Sequence, residues 1–540
     1  MSHNISELKF ADDARLKIIA GVNVLAKAVS ITLGPKGKNV AIFKQGAAPH
    51  LTKDGVTVAS AVSLADPFEN LGTQIVKEAA QRSADVAGDG TTTATVLAHS
   101  ILHEGTSLIT AGMDARQICR GIETAAIHVI EQLVSTRLDI ESSEELISVA
   151  TISANGEAKI GELIAEALEA VGHDGAISVE NARGFETELN IVEGTVIDRG
   201  FLSPYFVTDQ SKGTAELERA FVLIYNQTLN TAQSILPALE HAANSNHSLL
   251  VVANDVTSEA LQTLVLNKMK GSLRVCAIKA PEFGAARTVA LQDLASVCGG
   301  EVIAIDDSAS FKEKLDTCLG YAEKVLVDKN GTVLIGTTKN KDDVLVRIQA
   351  AKEIMEDPTS TTSDVQIASR RLRRLSEGIG IIRVGGATEA EMLERRDRID
   401  DALHAARSAK KGGIQPGGGC ALVFSSTKCR CPKAATESFK AGYLALLRSC
   451  SAPLRQIVEN AGEVPELILR KVERSRKPTG YDAESGMFGD MFEMKIIDPH
   501  LVVQSALQHA VSVACNILLI GCAVVLTEEK VDDIGLIESL

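Results

Sequence analysis

The sequence predicts a multidomain α+β/α/β protein in which a helical domain, assembled from both ends of the chain, is interrupted by an inserted α/β domain. Three observations lead there. The chain has 540 residues, and at roughly 100–200 residues per domain that length suits about three domains. Its flanks repeat apolar residues at helical spacing. Its middle alternates short β-rich runs with helical stretches, the pattern of a parallel or mixed sheet covered by helices.

Asp12 to Ser30 is expected as a helix with Leu16, Ile19, Val22 and Val29 on its apolar stripe. Phe68 to Ala84 and Thr91 to Glu104 follow the same period. Asn39 to Phe43 reads as a short strand between two glycine turns. From about 175 to 335 the runs Ala176–Val179, Leu249–Val252, Val275–Ile278 and Val302–Ile305 read as strands. Ile235 to Ala243 and Ser258 to Met269 read as the helices between them. After about 380 helices return, beginning with the charged amphipathic stretch Ala387 to Ala409. Gly412 to Gly419 is a glycine-rich break, and the remainder is largely helical.

Hydrophobic residues make up 45% of the chain and aromatics 3%, so the cores must be built from Ala, Val, Ile and Leu. The formal charge of -15 disfavours nucleic acid, which needs a basic footprint. The 10 cysteines lie mostly in apolar runs, as Cys515 does, and are expected to be buried free thiols of a reducing cytosol. Cys429 and Cys431 form a CxC pair with no second pair or nearby His to complete a zinc set. The polar start lacks a secretory or transit pattern. Val511 to Leu526, the most apolar stretch, is broken by Asn516 and Gly521 and is short for a membrane span. A soluble cytoplasmic protein is expected.

Four glycine turns carry the chemistry: Thr32-Leu33-Gly34-Pro35-Lys36-Gly37, Lys53-Asp54-Gly55-Val56-Thr57, Gly88-Asp89-Gly90-Thr91-Thr92-Thr93 and Pro416-Gly417-Gly418-Gly419. The third opens a helix. Free N–H groups and the positive dipole end of a helix attract anions. Gly90 lets backbone approach a phosphate, and Asp89 offers a carboxylate for Mg²⁺. Asp and Thr are equally good ordinary N-caps, so this segment alone supports a plain capped helix as well as a phosphate cradle. No Walker A sequence occurs, so a nucleotide site here is not of the P-loop kind.

Taken together, these four turns resemble the nucleotide motifs of the group I, GroEL-type chaperonins. The helix Ala387 to Met392 through Asp401-Ala402-Leu403-His404-Ala405 resembles that family's signature segment. Gly480-Tyr481-Asp482-Ala483 and Ile497-Asp498-Pro499 resemble its adenosine-binding segments. The likeness runs from about Phe10 to Asp533, with the motifs in family order. It implies a three-domain subunit: an equatorial ATP-binding and ring-contact domain from 1–135 and 412–540, an intermediate hinge domain from 136–192 and 380–411, and an apical domain from 193–379.

It also implies roles. Thr32, Leu33, Gly34 and Pro35 would wrap the α/β-phosphates, and Lys53 would stand in a second phosphate turn whose backbone helps hold K⁺. Asp89 would bind Mg²⁺, with Gly90, Thr91, Thr92 and Thr93 cradling phosphates. Gly418 would approach the ribose, Asp482, Ala483 and Glu484 the base, and Asp498 the ribose hydroxyls. Asp401, assisted by Asp54, would orient or deprotonate the attacking water. Phe201, Tyr205, Phe206, Leu236, Leu239, Leu261, Val265 and Leu266 would grip non-native clients and a GroES-type co-chaperonin. The assembly would be a homo-oligomeric, heptameric ring or double ring that hydrolyses ATP to assist folding, with no nucleic acid and no membrane as partner.

The sequence departs from the family pattern in places. Its tail, Val531 to Leu540, is not Gly-Met-rich. Lys410-Lys411 stands for an acidic pair, Glu282 for a glycine and Glu484 for a small residue. The segment Ser363 to Ser376 is rich in arginine: Arg370, Arg371, Arg373 and Arg374. These mark a diverged paralogue, for which the alternative role is specialised assembly or scaffolding with reduced folding activity. A small-molecule kinase would need its own acid–base cluster, and none is visible.

Overall fold

A computed structural model describes residues 4–43, 50–171, 177–182, 184–210, 213–303, 318–337, 341–356, 361–376, 378–475 and 478–528. The tail from 531 and the strand residues expected at 176 and 304–305 lie outside these. The chain packs into two compact units, Met1–Ala165 with Gly386–Leu540, and Glu166–Gly385. The segments expected as a hinge domain are divided between them.

The first flank runs β1 (Asn4–Phe10), α1 (Ala11–Ser30), the hairpin β2 (Val40–Ile42) and β3 (His50–Thr52), α2 (Gly55–Ala61), α3 (Pro67–Ala87), α4 (Thr91–Thr110), α5 (Ala115–Thr136), α6 (Ser143–Ser153) and α7 (Ala158–Val171). Ala14, Ile18, Val22, Leu25 and Val29 form the buried stripe of α1. Of the stripe expected from sequence, Val22 and Val29 are in it, Ile19 is partly buried, and Leu16 is 58% exposed. The core face is rotated because Gly21 admits α3: a Cβ there would stand 1.8 Å from the Glu69 carbonyl oxygen. Asp66 caps α3 through the Phe68 and Glu69 amides, with Pro67 at its first turn.

The second unit is a nine-stranded mixed sheet with helices. Its elements are β4 (Ile177–Asn181), β5 (Glu188–Ile197), β6 (Ala215–Leu229), α8 (Leu236–Asn244), β7 (Ser248–Val256), α9 (Ser258–Met269), β8 (Val275–Lys279), α10 (Gly284–Cys298), β9 (Val302–Ile303), β10 (Gly320–Val327), β11 (Thr332–Thr337), α12 (Lys341–Glu356), α13 (Thr362–Ser376) and β12 (Gly378–Val384). The order is β4-β12-β5-β11-β10-β6-β7-β8, with β9 on β6. β6, β7 and β8 run parallel, and β10 and β11 pair antiparallel. β7 and β8 are almost wholly buried, which explains their unbroken apolar runs. α13 is tied to α10 by Arg371, whose guanidinium donates to both oxygens of Asp293 at 2.8 and 3.1 Å. Arg370 and Arg374 both reach Glu282; the side chain of Arg373 lies outside the described residues.

The second flank runs α14 (Glu389–Gly412), β13 (Ile414–Pro416), α15 (Cys420–Lys428), α16 (Glu437–Ser449), α17 (Ala452–Asn460), α18 (Pro465–Glu473), β14 (Thr479–Tyr481), β15 (Phe488–Asp490), β16 (Ile497–Pro499), α19 (His500–Leu518) and β17 (Cys522–Glu528). It rejoins the first flank closely. β17 pairs antiparallel with β1, and α19 packs on α3, α4 and α5. α19 is long and apolar enough to cross a membrane, yet its apolar window is 67% buried here, as befits a core helix. The glycine-rich break holds the strand β13, which pairs with β16 so that Gln415 stands opposite Asp498.

Candidate active site

All four glycine turns open onto one cleft of about 330 Å³ in the first unit. Its lining includes every sequence-derived nucleotide candidate: Thr32, Leu33, Gly34, Pro35, Lys53, Asp54, Asp89, Gly90, Thr91, Thr92, Thr93, Asp401, Gly418, Asp482, Ala483, Glu484 and Asp498.

At the α4 terminus the sequence left two readings open. Gly90, at φ 95°, is the N-cap, and no side chain caps the helix. Asp89 instead accepts the Gly90 amide at 2.5 Å. The first-turn amides of Thr91 to Thr93 are therefore left for a ligand. Thr91 is buried, and its hydroxyl is among the described side-chain atoms that have no hydrogen-bond partner. The ordinary capped helix is thus not what is built.

The remaining turns are held from behind. Asp54 caps α2, accepting from Val56 at 2.9 Å and Thr57 at 2.7 Å. Lys53 Nζ donates to the Pro35 carbonyl at 3.1 Å, joining the second turn to the first. Asn460 donates to the Ser30 and Leu33 carbonyls at 2.9 and 2.8 Å, fixing the first turn from α17. Asp482 accepts from the Glu484 amide at 2.9 Å and the Ser485 hydroxyl at 2.5 Å, so its carboxylate shapes the loop that carries it.

α14 brings Asp401 in. A Cβ at Gly88, where φ is 78°, would stand 2.5 Å from the Cβ of His404. This close passage sets Asp401, three residues earlier on α14, near Asp89. Burial, then the Asp89 and Asp54 charges, push the Asp401 carboxyl well above the usual range. Burial also raises Asp89 and lifts Asp498 to about 7, with Asp89 adding to the latter. Burial, then the positive Arg398, lowers Lys53. Arg398 itself is engaged by Glu394 and by Glu157, the latter at 2.8 Å.

Such crowding of carboxylates is unfavourable without a cation. The hard oxygen donors suit Mg²⁺, and the open α4 terminus with Lys53 suits phosphate. The residues present therefore fit a Mg²⁺-nucleotide.

Sequence reasoning missed Asp397, which also lines the cleft and is raised by burial and by Asp54. Its signal was available: it precedes Asp401 by four residues, so both face one side of α14. Pro453 and Ile457, also in the lining, carry no motif.

In the second unit, Tyr205, Leu236 and Leu266 are 64%, 46% and 53% exposed. Phe201, Leu261 and Val265 are partly buried against the core. Phe206 and Leu239, expected on the same surface, are 0% and 5% exposed and belong to that core. The reason is local. Pro204–Phe206 is a single helical turn that points Tyr205 out and Phe206 in, and Leu239 is on the inward side of α8 with Ala238 and Ala242.

Known proteins agree with this architecture. The TCP-1/cpn60 chaperonin family matches residues 25–528. Among solved structures, the chaperonin gp146 from bacteriophage EL 2 (Pseudomonas aeruginosa), crystallised in the presence of ATP-BeFx, superposes with a TM-score of 0.68 at 24% identity, covering 95% of this chain and 98% of that one. A second crystal form of it gives a TM-score of 0.63 at 24% identity, with 96% and 99% coverage. At that identity the superposition speaks for the fold, and the family match speaks for descent: the chain belongs to the TCP-1/cpn60 chaperonin family.

Proposed function

We propose that this chain is the subunit of a ring that hydrolyses ATP and uses the cycle to capture non-native proteins and assist their folding. The observation that carries the reading is the meeting of the uncapped α4 terminus, the Asp89 carboxylate and Asp401 in one cleft. Phosphoryl transfer asks mainly for positioning and charge neutralisation, plus a carboxylate that places the nucleophile. In this reading Asp89 would hold Mg²⁺, which would supply the neutralising charge. The amides of Thr91 to Thr93 and Lys53 bind the phosphates, and the backbone of the second turn helps hold K⁺. Asp482, Ala483 and Glu484 face the base, and Gly418 and Asp498 the ribose. Asp401 accepts a proton from the attacking water, and its raised affinity for protons suits that task.

Several finer parts belong to the same proposal: the three-domain division at 136–192 and 380–411, the heptameric single or double ring, the GroES-type partner and a cytoplasmic location. Tyr205, Leu236 and Leu266 support a capture surface, since exposed apolar groups bind unfolded chains non-directionally. A specialised assembly role is the second reading. It is favoured by the paired departures Glu282 and Arg370 in the unit that would meet clients. Steady-state ATP turnover by the purified ring, with and without an unfolded client, tests both. Turnover that an unfolded client modulates supports folding; absence of any turnover removes the first reading.

A further inference from the structure

Two thiols face each other in the core of the first unit. Cys119 Sγ, on α5, lies 3.8 Å from the carbonyl oxygen of Cys515, and Cys515 Sγ, on α19, lies 3.9 Å from the carbonyl oxygen of Cys119. Each residue is 3% exposed. Sulfur-to-backbone contacts in both directions put the two residues side by side, the neighbourhood that a disulfide, with Cα atoms about 4.4–6.8 Å apart, needs. By contrast, Cys276, Cys429 and Cys522 have sulfurs that meet backbone oxygens close by in their own sequence. The contact also separates the two thiols chemically. Cys515 lowers the Cys119 thiol, whereas Cys119 and burial raise Cys515.

We propose that Cys119 and Cys515 are a latent disulfide site that joins α5 to α19 when a small disulfide oxidant of the glutathione class is present. The Cys119 thiolate attacks one sulfur of the oxidant, forming a mixed disulfide and releasing one thiol. The Cys515 thiol gives up its proton and attacks Cys119 Sγ, forming the Cys119–Cys515 bond and releasing the second thiol. Two protein thiols are oxidised and one small disulfide is reduced to two thiols, so electrons and protons balance. Access sets the timing. In the packed core the sulfurs are sealed from solvent, so exchange proceeds while α19 is not yet docked or has lifted away. The bond spans 396 residues of sequence and ties the two flanks of the unit directly. A closure that long removes much freedom from the unfolded chain.

The test is to refold the full chain from denaturant in a reduced/oxidised glutathione buffer and, in parallel, in reductant alone. Remaining thiols are then alkylated and the protein is digested without reduction. The expected result is one linked peptide pair containing Cys119 and Cys515, an intact mass lower by two hydrogens before alkylation, and a higher apparent melting temperature than the reduced form. Cys119→Ala and Cys515→Ala should each remove the link and the gain in melting temperature. Either variant suffices if the other folds poorly. Recovery of both residues alkylated after oxidative refolding overturns the proposal, as does a link that joins either one to a different cysteine.

Discussion

Glu282 stands on a left-handed backbone, at φ 62°, and its carboxylate takes both arms of the Arg370 guanidinium at 2.9 and 3.0 Å. Arg374 adds a third donor at 2.8 Å. A non-glycine residue at such φ is strained by about 1–3 kcal/mol. The family pattern has glycine here, so the fork offsets what the side chain costs. The two departures that stood far apart in sequence are one interaction.

That coupling is measurable. Arg370→Ala should destabilise the unit by about 1 kcal/mol, modestly because Arg370 is 36% exposed. In the Arg370→Ala background, Glu282→Gly should cost less than it does alone. Urea midpoints of the four proteins check this, and strict additivity would remove the pair as a unit.

The Arg370 guanidinium holds the Glu282 carboxyl below the usual carboxylate range. A group depressed on folding contributes stability that is complete above its unfolded pKa and is lost as pH falls through the folded one. Wild-type and Glu282→Gln should therefore differ most in melting temperature at neutral pH and converge under acid conditions. A constant gap from pH 7 to pH 3 would contradict this sign.

Asp401→Ala should leave Mg²⁺-ATP affinity nearly unchanged and lower turnover about 100-fold or more, because a positioned proton acceptor acts in the transition state. Asp89→Ala should weaken Mg²⁺-ATP binding itself. Calorimetric titration beside steady-state turnover separates the roles, and equal losses of affinity in both variants would erase the distinction.

Tyr205→Glu and Leu239→Glu should now part company. Tyr205 is exposed, so a charge there should abolish client capture with an unchanged melt. Leu239 is core, so Leu239→Glu should destabilise by about 3–5 kcal/mol and lose capture only as a by-product of unfolding. Identical melting curves for the two variants would return Leu239 to the surface.

What the sequence disclosed follows from what each pattern physically encodes. Strand–helix alternation revealed the sheet unit, and flank periodicity revealed the helical one. The long strand β6 stayed hidden. It opens with Glu216 and Glu218 alternating with buried residues, runs apolar from Ala220 to Tyr225 and closes on Asn226, Gln227 and Thr228, so no single period spans it. Spacing places Leu236 and Leu239 on one helix face but not the side that solvent reaches; the packing of α8 decides that. The glycine turns were legible because phosphate-sized approaches demand glycine locally. Asp397 was legible only through Asp401 four residues on, since a carboxylate on a charged helix otherwise acquires meaning from the turn it faces.

The cleft draws its parts from both sides of the inserted unit, and this has a consequence for synthesis on the ribosome. Thr32, Lys53 and Asp89 emerge early; Asp401, Asp482 and Asp498 emerge only after the whole insertion has been made. Until then the apolar faces of α1, α3 and α4 have no α19 to cover them, and domains of growing chains fold as units. The first flank therefore waits with those faces uncovered while the inserted unit, continuous in sequence, is made and folds. A chain released before Asp498 lacks part of the cleft's lining, so any capacity to bind a nucleotide there would arise only once the second flank has been made.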